Sequence, residues 1–358
     1  PKTPKPRGEG LLIRPGSRRL IIISFESNHV EMRAFIAAAF AAVAVAQKMR
    51  PADYDYMRYV AQYGKNYDTM EEFKSRQAQF ESANEYIAEH NQTNSSHVAG
   101  HNQFSDWTAT EIQSMLGTKE GLYVEPQHAE AFTGTTEANG IDWREHEGVL
   151  TPVKDQGACG SCWAFSATEA VESAYALAGN DLVVMAPQEI VDCAYGLFTN
   201  HGCKGGWYYY AYDWLKKNQT MREADYPYYS GYSGREYNCA YNESKGVTNV
   251  SSYTHVSGNA SSIKAALAKG PVNVALSAGN YVFMYYQGGI ISEYSGCPTS
   301  ADHAVVAVGY GEENGQEYYI VRNSWGSGWG EQGYVRISTG GGYYGVCGIN
   351  TAVYQPYV

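Results

Sequence analysis

Seven cysteines, an odd number, lie between residues 159 and 347 of the 358-residue chain. Six of them can close three disulfides that hold a scaffold, while the seventh thiol stays free. Cys162 is the candidate for that thiol, because an apolar-periodic segment follows it and would place it at a helix N-terminus. The polar side chain of Gln156 lies just upstream. Since such surroundings favour a thiolate, the sequence predicts a reactive cysteine here.

The composition limits the class of protein. A chain of 358 residues can hold one or two packed domains, and 18% charged with 14% aromatic residues argues against global disorder. The net charge of -11 argues against nucleic acid as a partner. No stretch reaches the roughly 20 apolar residues of a membrane-spanning helix, so we expect no membrane span.

One apolar run, residues 34–46, follows a basic residue and ends in a small-residue pattern. This arrangement is typical of a secretory signal peptide, which we place at residues 32–46 with cleavage before Gln47. An amphipathic or core helix is the alternative. Because a signal peptide begins a chain, we expect translation to start at Met32 and residues 1–31 to be a non-native or untranslated extension.

The rest of the chain divides into a helical part and a strand-rich part. Helically spaced apolar residues over 53–90 predict two helices broken near Gly64, and the glycine-containing stretch 118–140 predicts a linker open to processing. A helix should begin near Cys162, and Pro187 should open a short one. Short β-branched or aromatic runs predict strands at residues 271–276, 304–308, 318–321 and 334–337. This order predicts an α+β fold with a cleft between its two parts.

A cysteine nucleophile needs a base, and three histidines follow it: His201, His255 and His303. His303 opens a predicted strand that turns near residues 313–314 into the next strand. In an antiparallel hairpin, the residue opposite His303 would lie within a couple of places of Asn323. The Asn323 amide can then accept from one imidazole nitrogen and leave the other aimed at the thiol.

Two short runs and His303 resemble the papain-like cysteine proteases, and the cathepsin L branch most. The runs are Gln156-Gly157-Ala158-Cys159-Gly160-Ser161-Cys162-Trp163 and Asn323-Ser324-Trp325-Gly326. The family has a two-lobed α+β fold, with a helical left lobe, a β-barrel-like right lobe, an active-site cleft between them and a helical propeptide in front. We expect the same architecture here.

The resemblance implies a role for each matching residue. Cys162 is the nucleophile, His303 the general base and acid, and Asn323 the group that orients His303. Trp325 shields the Asn-His hydrogen bond from water. Gln156 donates its side-chain amide, together with the backbone N–H of Cys162, to the oxyanion. The resting pair is expected to be thiolate and imidazolium, and the reaction to pass through an acyl-enzyme thioester.

The family pattern also implies disulfides at Cys159–Cys203, Cys193–Cys239 and Cys297–Cys347. From the residues alone, Cys159-x-x-Cys162 can also be a zinc or thioredoxin-like redox motif, although a second close cysteine pair is missing. We expect no cofactor and no metal.

The region before the linker matches the family's propeptide. Five residues fall at the spacing of its ERFNIN helix motif: Glu72, Arg76, Phe80, Ile87 and Asn91. Residues 100–106 fit the companion motif Gly-x-Asn-x-Phe-x-Asp. The resemblance implies an inhibitory propeptide at 47–134, with its inhibitor domain at about 55–112, and a mature peptidase at 135–358. An ordinary amphipathic helix explains any one of these positions but not the whole register.

The resemblance further implies a substrate cleft. Its wall is the pair Gly205 and Gly206, which lets a substrate backbone approach closely. The pocket for P2, the substrate residue one place before the scissile one, is lined by Trp207, Tyr208, Ala275 and Ala352, with Asp302 and Trp325 beside the cleft. The apolar floor favours hydrophobic or aromatic P2 side chains over arginine. Plain aromatic packing is the alternative for the two aromatic residues, because the chain is rich in tyrosine.

These observations predict a cysteine endopeptidase made as a zymogen and routed to a lysosome, a vacuole or the outside. Six sequons fit the secretory pathway: Asn91, Asn94, Asn218, Asn242, Asn249 and Asn259. The expected partners are protein and peptide substrates, the chain's own propeptide and cystatin-like inhibitors, and the enzyme is expected to be a monomer. The alternatives are a catalytically silent binding or storage protein, and an N-terminal half that is itself a protease inhibitor.

Overall fold

The structure is a computed structural model that describes residues 49–93, 95–118, 132, 140–196 and 199–358. Apart from the first residue of the first helix, every helix and strand described below lies in the compact unit Ala52–Val358. The predicted signal peptide at 32–46, the extension at 1–31 and almost all of the linker lie outside the described residues. Within the described part, no helix has the length and apolarity to cross a membrane.

The helices follow the sequence pattern closely. They are α1 (Pro51–Gln62), α2 (Met70–Gln92), α3 (Ala109–Met115), α4 (Cys162–Leu177), α5 (Pro187–Cys193), α6 (Tyr208–Leu215), α7 (Ser230–Ser233), α8 (Ala260–Leu267) and α9 (Tyr281–Met284). The predicted break between α1 and α2 is present, and Gly64 has a φ of 59° there. The side chain of Thr69 caps α2 by accepting from the backbone N–H of Glu72.

The four predicted strands are all present. The strands are β1 (His97–Ala99), β2 (Ile141–Asp142), β3 (Thr220–Met221), β4 (Gly246–Thr248), β5 (Ser252–Val256), β6 (Val272–Leu276), β7 (Tyr286–Ile291), β8 (His303–Glu313), β9 (Gln316–Arg322), β10 (Tyr334–Ser338) and β11 (Val353–Tyr357). Asn314 and Gly315 connect β8 to β9, both with positive φ (53° and 79°). A two-residue Asn-Gly turn of this kind suits a tight hairpin.

One large sheet dominates the second half of the chain. Its strand order is β1-β7-β10-β9-β8-β6-β11-β5, with β2 paired to β8 off this path, while β3 and β4 form a separate pair. Over the described residues the path has two ends and does not close. The predicted α+β fold with a helical propeptide region is confirmed, but the barrel-like lobe is an open sheet and not a closed barrel, because no described strand joins β1 to β5.

Two buried clusters form the cores of the two lobes. One lies around α4, α5 and α6 and includes Trp163 and Tyr212. The other lies on the sheet and includes Val274 and Val335. Helix α4 crosses to the sheet, where the hydroxyl of Ser166 donates to the carbonyl of Val305 (2.8 Å). The α4 N-terminus is thereby held against the start of the hairpin.

The N-terminal segment, which we define as residues 51–93 and 95–118, docks on the sheet by backbone pairing. Its strand β1 is antiparallel to β7, with His97 opposite Gly289. Beyond β1, the Asn102 amide donates to the carbonyl of Met284 (2.6 Å). The Gln103 amide donates to the carbonyl of Trp325 (2.8 Å). These contacts carry the segment from the sheet edge toward the cleft.

A buried carboxylate joins the helices of the N-terminal segment. Asp106 accepts from the hydroxyls of Tyr59 (2.8 Å) and Tyr67 (2.5 Å) and from the ammonium group of Lys65 (2.8 Å). Asp106 is the last residue of the Gly-x-Asn-x-Phe-x-Asp motif. Because three donors from one stretch converge on it, the motif fixes the loop before α3 against α1.

Three disulfides are present: Cys159–Cys203, Cys193–Cys239 and Cys297–Cys347. They are the pairs that the family resemblance implies. Cys162 carries the free thiol, and it is buried. Because Cys159 is bonded to Cys203, it is unavailable for the zinc or redox pair with Cys162 that the spacing alone allowed.

Candidate active site

Cys162 is the first residue of α4 and is fully buried. Its sulfur accepts the backbone N–H of Ala304 at 3.4 Å, so the start of the helix meets the start of β8 at this atom. The positive end of the helix dipole and this N–H both favour negative charge on the sulfur.

His303 and Asn323 lie at the same end of the β8–β9 hairpin. His303 Nε2 and Asn323 Oδ1 are 2.7 Å apart. The backbone N–H of Ser324 donates to the same Oδ1 (2.8 Å), which identifies that atom as the oxygen of the amide. Nε2 is therefore the protonated ring nitrogen. Nδ1 makes no hydrogen bond with any described residue and carries the lone pair of a neutral imidazole.

Aromatic side chains enclose this pair. The ring of Trp325 lies 4.8 Å from that of His303, and Phe283 lies 6.3 Å from it on an edge. Trp325 is fully buried, so it keeps water away from the bond between His303 and Asn323. This arrangement is consistent with the shielding role that the family resemblance implies for Trp325.

Gln156 is held in place on both sides of its amide. The hydroxyl of Ser324 donates to Oε1 at 2.7 Å. Nε2 donates to the carbonyl of Cys159 (2.8 Å) and to that of Met115 (2.7 Å), which belongs to the N-terminal segment. The hydroxyl of Tyr228 donates to the backbone carbonyl of Gln156. The side chain of Gln156 thus presents its donor to a peptide carbonyl.

The N-terminal segment covers the thiol with its backbone. The carbonyl of Gly117 accepts from the N–H of Gly206 (2.7 Å), and the N–H of Thr118 donates to the carbonyl of Asp302 (3.0 Å). A methyl group added at Gly117 would lie 2.9 Å from the sulfur of Cys162 and 2.2 Å from the carbonyl of Gly160. Only glycine fits at this distance, and no substrate can reach the sulfur while the segment is in place.

Burial determines the charge states of Cys162 and His303 while the N-terminal segment covers them. It raises the pKa of the Cys162 thiol to about 12, although backbone N–H groups of Ala304, Gly117 and Trp163 act in the opposite direction. It lowers the pKa of His303 to about 4, against the bond to Asn323. A covered cleft therefore holds a neutral thiol and a neutral imidazole near pH 7. The thiolate–imidazolium pair remains a prediction for an uncovered cleft, where water reaches both groups.

The predicted P2 residues lie together beside the thiol. Trp207, Tyr208, Ala275 and Ala352 belong to the buried cluster that contains Cys162. Gly205 and Gly206, the predicted wall, precede them in the chain, and both lie close to the carbonyl of Gly117. Gly205 has a φ of 110°, and an added methyl group there would lie 2.5 Å from the carbonyl of Gly117. The wall therefore takes a backbone at close range.

The other two histidines lie elsewhere. His255 is in β5 and stacks on Tyr354 at 4.8 Å. His201 packs against the edge of Tyr195 at 5.6 Å. Of the three histidines that follow Cys162, only His303 lies in the same strand as Ala304, whose backbone N–H donates to the Cys162 sulfur.

Several groups at the site were not found from the sequence. They act through backbone atoms or through support of another residue: Met115, Gly117, Ser324, Tyr228 and Ala304. A backbone donor has no side-chain signal. The available cues were the adjacency of Ser324 to Asn323 and the glycine at position 117, just before the linker.

Two families match the chain. Residues 138–357 match the family described as "Papain family cysteine protease", and residues 56–112 match the "Cathepsin propeptide inhibitor domain (I29)". Together these spans include most of the N-terminal segment and every residue of the candidate active site except Met115, Gly117 and Thr118, which lie between them.

Known proteins are similar to this chain over most of its length. The chain is 43% identical to "Probable cysteine protease RD21B" of Arabidopsis thaliana over 71% of its own length, but it spans only 54% of that protein. It is 38% identical to "Pro-cathepsin H" of Mus musculus, covering 85% of this chain and 90% of the relative. Among solved structures, digestive procathepsin L 3 of the Tenebrio molitor larval midgut superposes with a TM-score of 0.74 at 33% identity, covering 87% of this chain and 100% of that one.

The fold and the two family matches are those of a cysteine peptidase that carries an inhibitory propeptide domain. The chain belongs to the papain family of cysteine proteases.

Proposed function

We propose that the chain is the zymogen of a cysteine endopeptidase in which Cys162, His303, Asn323 and Gln156 form the catalytic centre. The supporting observation is the bond between His303 and Asn323, which leaves the Nδ1 lone pair of His303 available. The next residue, Ala304, holds the sulfur of Cys162 by its N–H. A base and a nucleophile on adjoining groups suit acyl transfer.

The reaction has two steps. In the open cleft the proton of the Cys162 thiol resides on Nδ1 of His303, and the thiolate attacks the carbonyl carbon of a peptide bond. The C–N bond breaks as His303 gives its proton to the leaving amine, which leaves a thioester. His303 then takes a proton from water, the hydroxide adds to the thioester carbon, and the C–S bond breaks to release the acid and regenerate Cys162.

Gln156 is proposed to stabilise the oxyanion in both steps. Its Nε2 already donates to a peptide carbonyl, that of Met115, at 2.7 Å. A substrate carbonyl that replaced it would find the same donor, with the backbone N–H of Cys162 as the second. Asn323 serves as a positioning residue, because it acts on the imidazole and not on the substrate.

We assign residues 47–134 to the propeptide and 135–358 to the mature enzyme, with a signal peptide at 32–46. The route is the secretory pathway, toward a lysosome, a vacuole or the outside. Three disulfides support this route, because they persist in oxidising compartments.

We also propose a preference for hydrophobic P2 residues over arginine. The pocket residues Ala275 and Ala352 are apolar and fully buried, and Trp207 closes one side. No carboxylate from these residues could pair with a guanidinium. Aromatic P2 residues, which the sequence also favours, need the space that Tyr208 takes.

The test is Cys162→Ala in the full chain. The wild type, incubated at mildly acidic pH, should cut casein into internal fragments that mass spectrometry identifies, whereas C162A should cut nothing. Ser173→Ala is the matched control, because it removes a small buried polar group from the same helix away from the cleft. It should cut as the wild type does.

Circular dichroism and non-reducing mass analysis should show the same fold and three disulfides in both variants. Casein cleavage by C162A would refute the assignment of the nucleophile. A wild type that sheds its propeptide and yet cuts no peptide would instead support the silent binding protein.

A further inference from the structure

Three alanines form a row beside the thiol. Ala304, whose N–H donates to the sulfur, pairs with Ala275 across β8 and β6. Tyr354 pairs with Asn273 across β11 and β6, and the same register continued by two residues sets Ala352 opposite Ala275. All three alanines are buried in the cluster that contains the thiol. Methyl groups at these three neighbouring positions, two on strands and one just before β11, leave room above them for a large side chain.

The ring of Tyr208 occupies that room. Tyr208 is the first residue of α6, and its hydroxyl reaches across to donate to the carbonyl of Ala352 at 2.5 Å. Its ring packs edge-on against Trp207 (5.9 Å) and Tyr354 (5.6 Å). The whole side chain is buried. An aromatic group supplied by the enzyme therefore already spans the pocket from the wall to the floor.

These contacts hold the ring in one position. Rotation of Tyr208 out of the pocket would leave the buried carbonyl of Ala352 without this donor and would break both edge contacts. A substrate side chain would have to replace the hydrogen bond as well as the ring, and a phenylalanine or leucine side chain has no donor. The ring therefore acts as a fixed boundary.

We propose that Tyr208 sets the size limit of the P2 pocket, so that the enzyme prefers glycine, alanine or valine at P2 over leucine and phenylalanine. This inference rests on the proposed peptidase function and narrows its hydrophobic preference by size. The pocket stays apolar, since Ala275 and Ala352 line what remains of it. The pocket therefore selects P2 side chains by their size and shape and not by their charge.

The test compares kcat/KM of the acid-processed enzyme for blocked fluorogenic peptides that differ only at P2. The wild type should hydrolyse the P2-alanine and P2-valine peptides at least about tenfold faster than the P2-phenylalanine peptide, a range typical of pockets that discriminate by volume. Tyr208→Ala should raise the phenylalanine-to-alanine ratio by about tenfold or more. Tyr208→Phe should raise the ratio by less than Y208A does, because the ring remains but loses the hydrogen bond that holds it.

Tyr212→Phe is the matched control, since it removes a buried tyrosine hydroxyl one helical turn along α6. That hydroxyl bonds the side chain of Asn273 and not the row of alanines. The P2 ratio of Y212F should equal that of the wild type. If Y208A does not fold, the wild-type peptide series and the Y208F variant become the deciding measurements.

The outcomes separate the two proposals. A wild type that prefers phenylalanine or leucine at P2 overturns the size limit and leaves the peptidase intact. An unchanged ratio in folded Y208A also overturns it. A wild type that cleaves neither the peptides nor casein overturns the proposed function itself.

Discussion

At the scale of single residues, Gln156 binds the N-terminal segment and also takes part in the proposed chemistry. Ser324 fixes its Oε1, and Nε2 points to the carbonyl of Met115. The same N–H group therefore holds the N-terminal segment before activation and would hold the oxyanion afterwards. Substitution should weaken both functions, which makes the residue a sharp probe of the site.

Gln156→Ala should lower kcat of the processed enzyme by about 10²–10³-fold, which corresponds to roughly 2.7–4 kcal/mol of lost oxyanion stabilisation. KM should change much less, because the oxyanion exists only along the reaction path. Steady-state kinetics on the P2-alanine peptide measures both constants.

Gln355→Ala is the control for this prediction. Gln355 is also buried and also donates to two backbone carbonyls, those of Ala266 and Gly270, but it lies away from the cleft. Its replacement should lower stability and leave kcat unchanged. Equal losses of kcat in Q156A and Q355A would mean that Gln156 acts only through the fold.

At the scale of secondary-structure elements, a buried ionic cluster joins α4 to the end of β9. Lys154 lies 2.7 Å from Glu172, and Arg322 lies 3.3 Å from Glu169, with all four side chains at most 8% exposed. Burial raises the pKa of Glu169, while the positive charges of Arg322 and Lys154 lower it. The cluster fixes the strand end from which Asn323 continues.

Arg322→Met should destabilise the protein by about 3–5 kcal/mol, because it leaves Glu169 buried with its nearest cation removed. Chemical denaturation followed by fluorescence gives the change in the free energy of unfolding. Arg58→Met, which breaks an exposed pair with Asp55, should change it by less than about 1 kcal/mol. Similar values for both variants would show that the buried cluster contributes no more than a surface pair.

The hairpin shows what a sequence can and cannot predict at this scale. Asn314 and Gly315 have a strong local turn preference, so the pairing of β8 with β9 was predictable. The register shift between Ala307 and Gly309 was not, because a bulge depends on packing across the sheet. Continued from Val306 opposite Arg322, the shifted register sets Trp325 opposite His303, so His303 and Asn323 meet diagonally.

The residues that line the P2 pocket were predictable from the sequence, but the shape of the pocket was not. The motif alone pointed to Tyr208 and Ala352, which are 144 residues apart in the chain. Nothing local to Tyr208 indicates that its hydroxyl reaches that carbonyl, since the contact depends on how α6 packs against β11. Likewise a glycine at position 117 does not by itself indicate that the backbone there lies against the thiol.

At the scale of the whole molecule, the N-terminal segment is held at separate places along its length. β1 pairs with β7, the Gln103 amide donates to the carbonyl of Trp325, and Gly117 lies in the cleft. Release must therefore loosen several contacts. A group whose protonation disfavours the docked form can make that release depend on pH.

His97 in β1 is such a group. It is 2% exposed, and its ring lies 4.3 Å from that of His90. Burial, with the nearby charge of His90, lowers the pKa of His97 to about 4. The docked form thus binds fewer protons than a released segment with a histidine pKa near 6.5. Its contribution to docking is complete above pH ~6.5 and is lost as the pH falls toward 4, on the order of 3 kcal/mol.

Acidification of the full chain should therefore convert it to a form that starts near Thr135, and His97→Gln should make the pH dependence of this conversion less steep. The glutamine cannot bind the proton that drives release. Gel analysis over about pH 4–7, with N-terminal sequencing of the product, gives the curve. The exposed His146→Gln should leave it unchanged. An equally steep curve in H97Q would overturn the role of His97 and show that other groups carry the pH dependence of release.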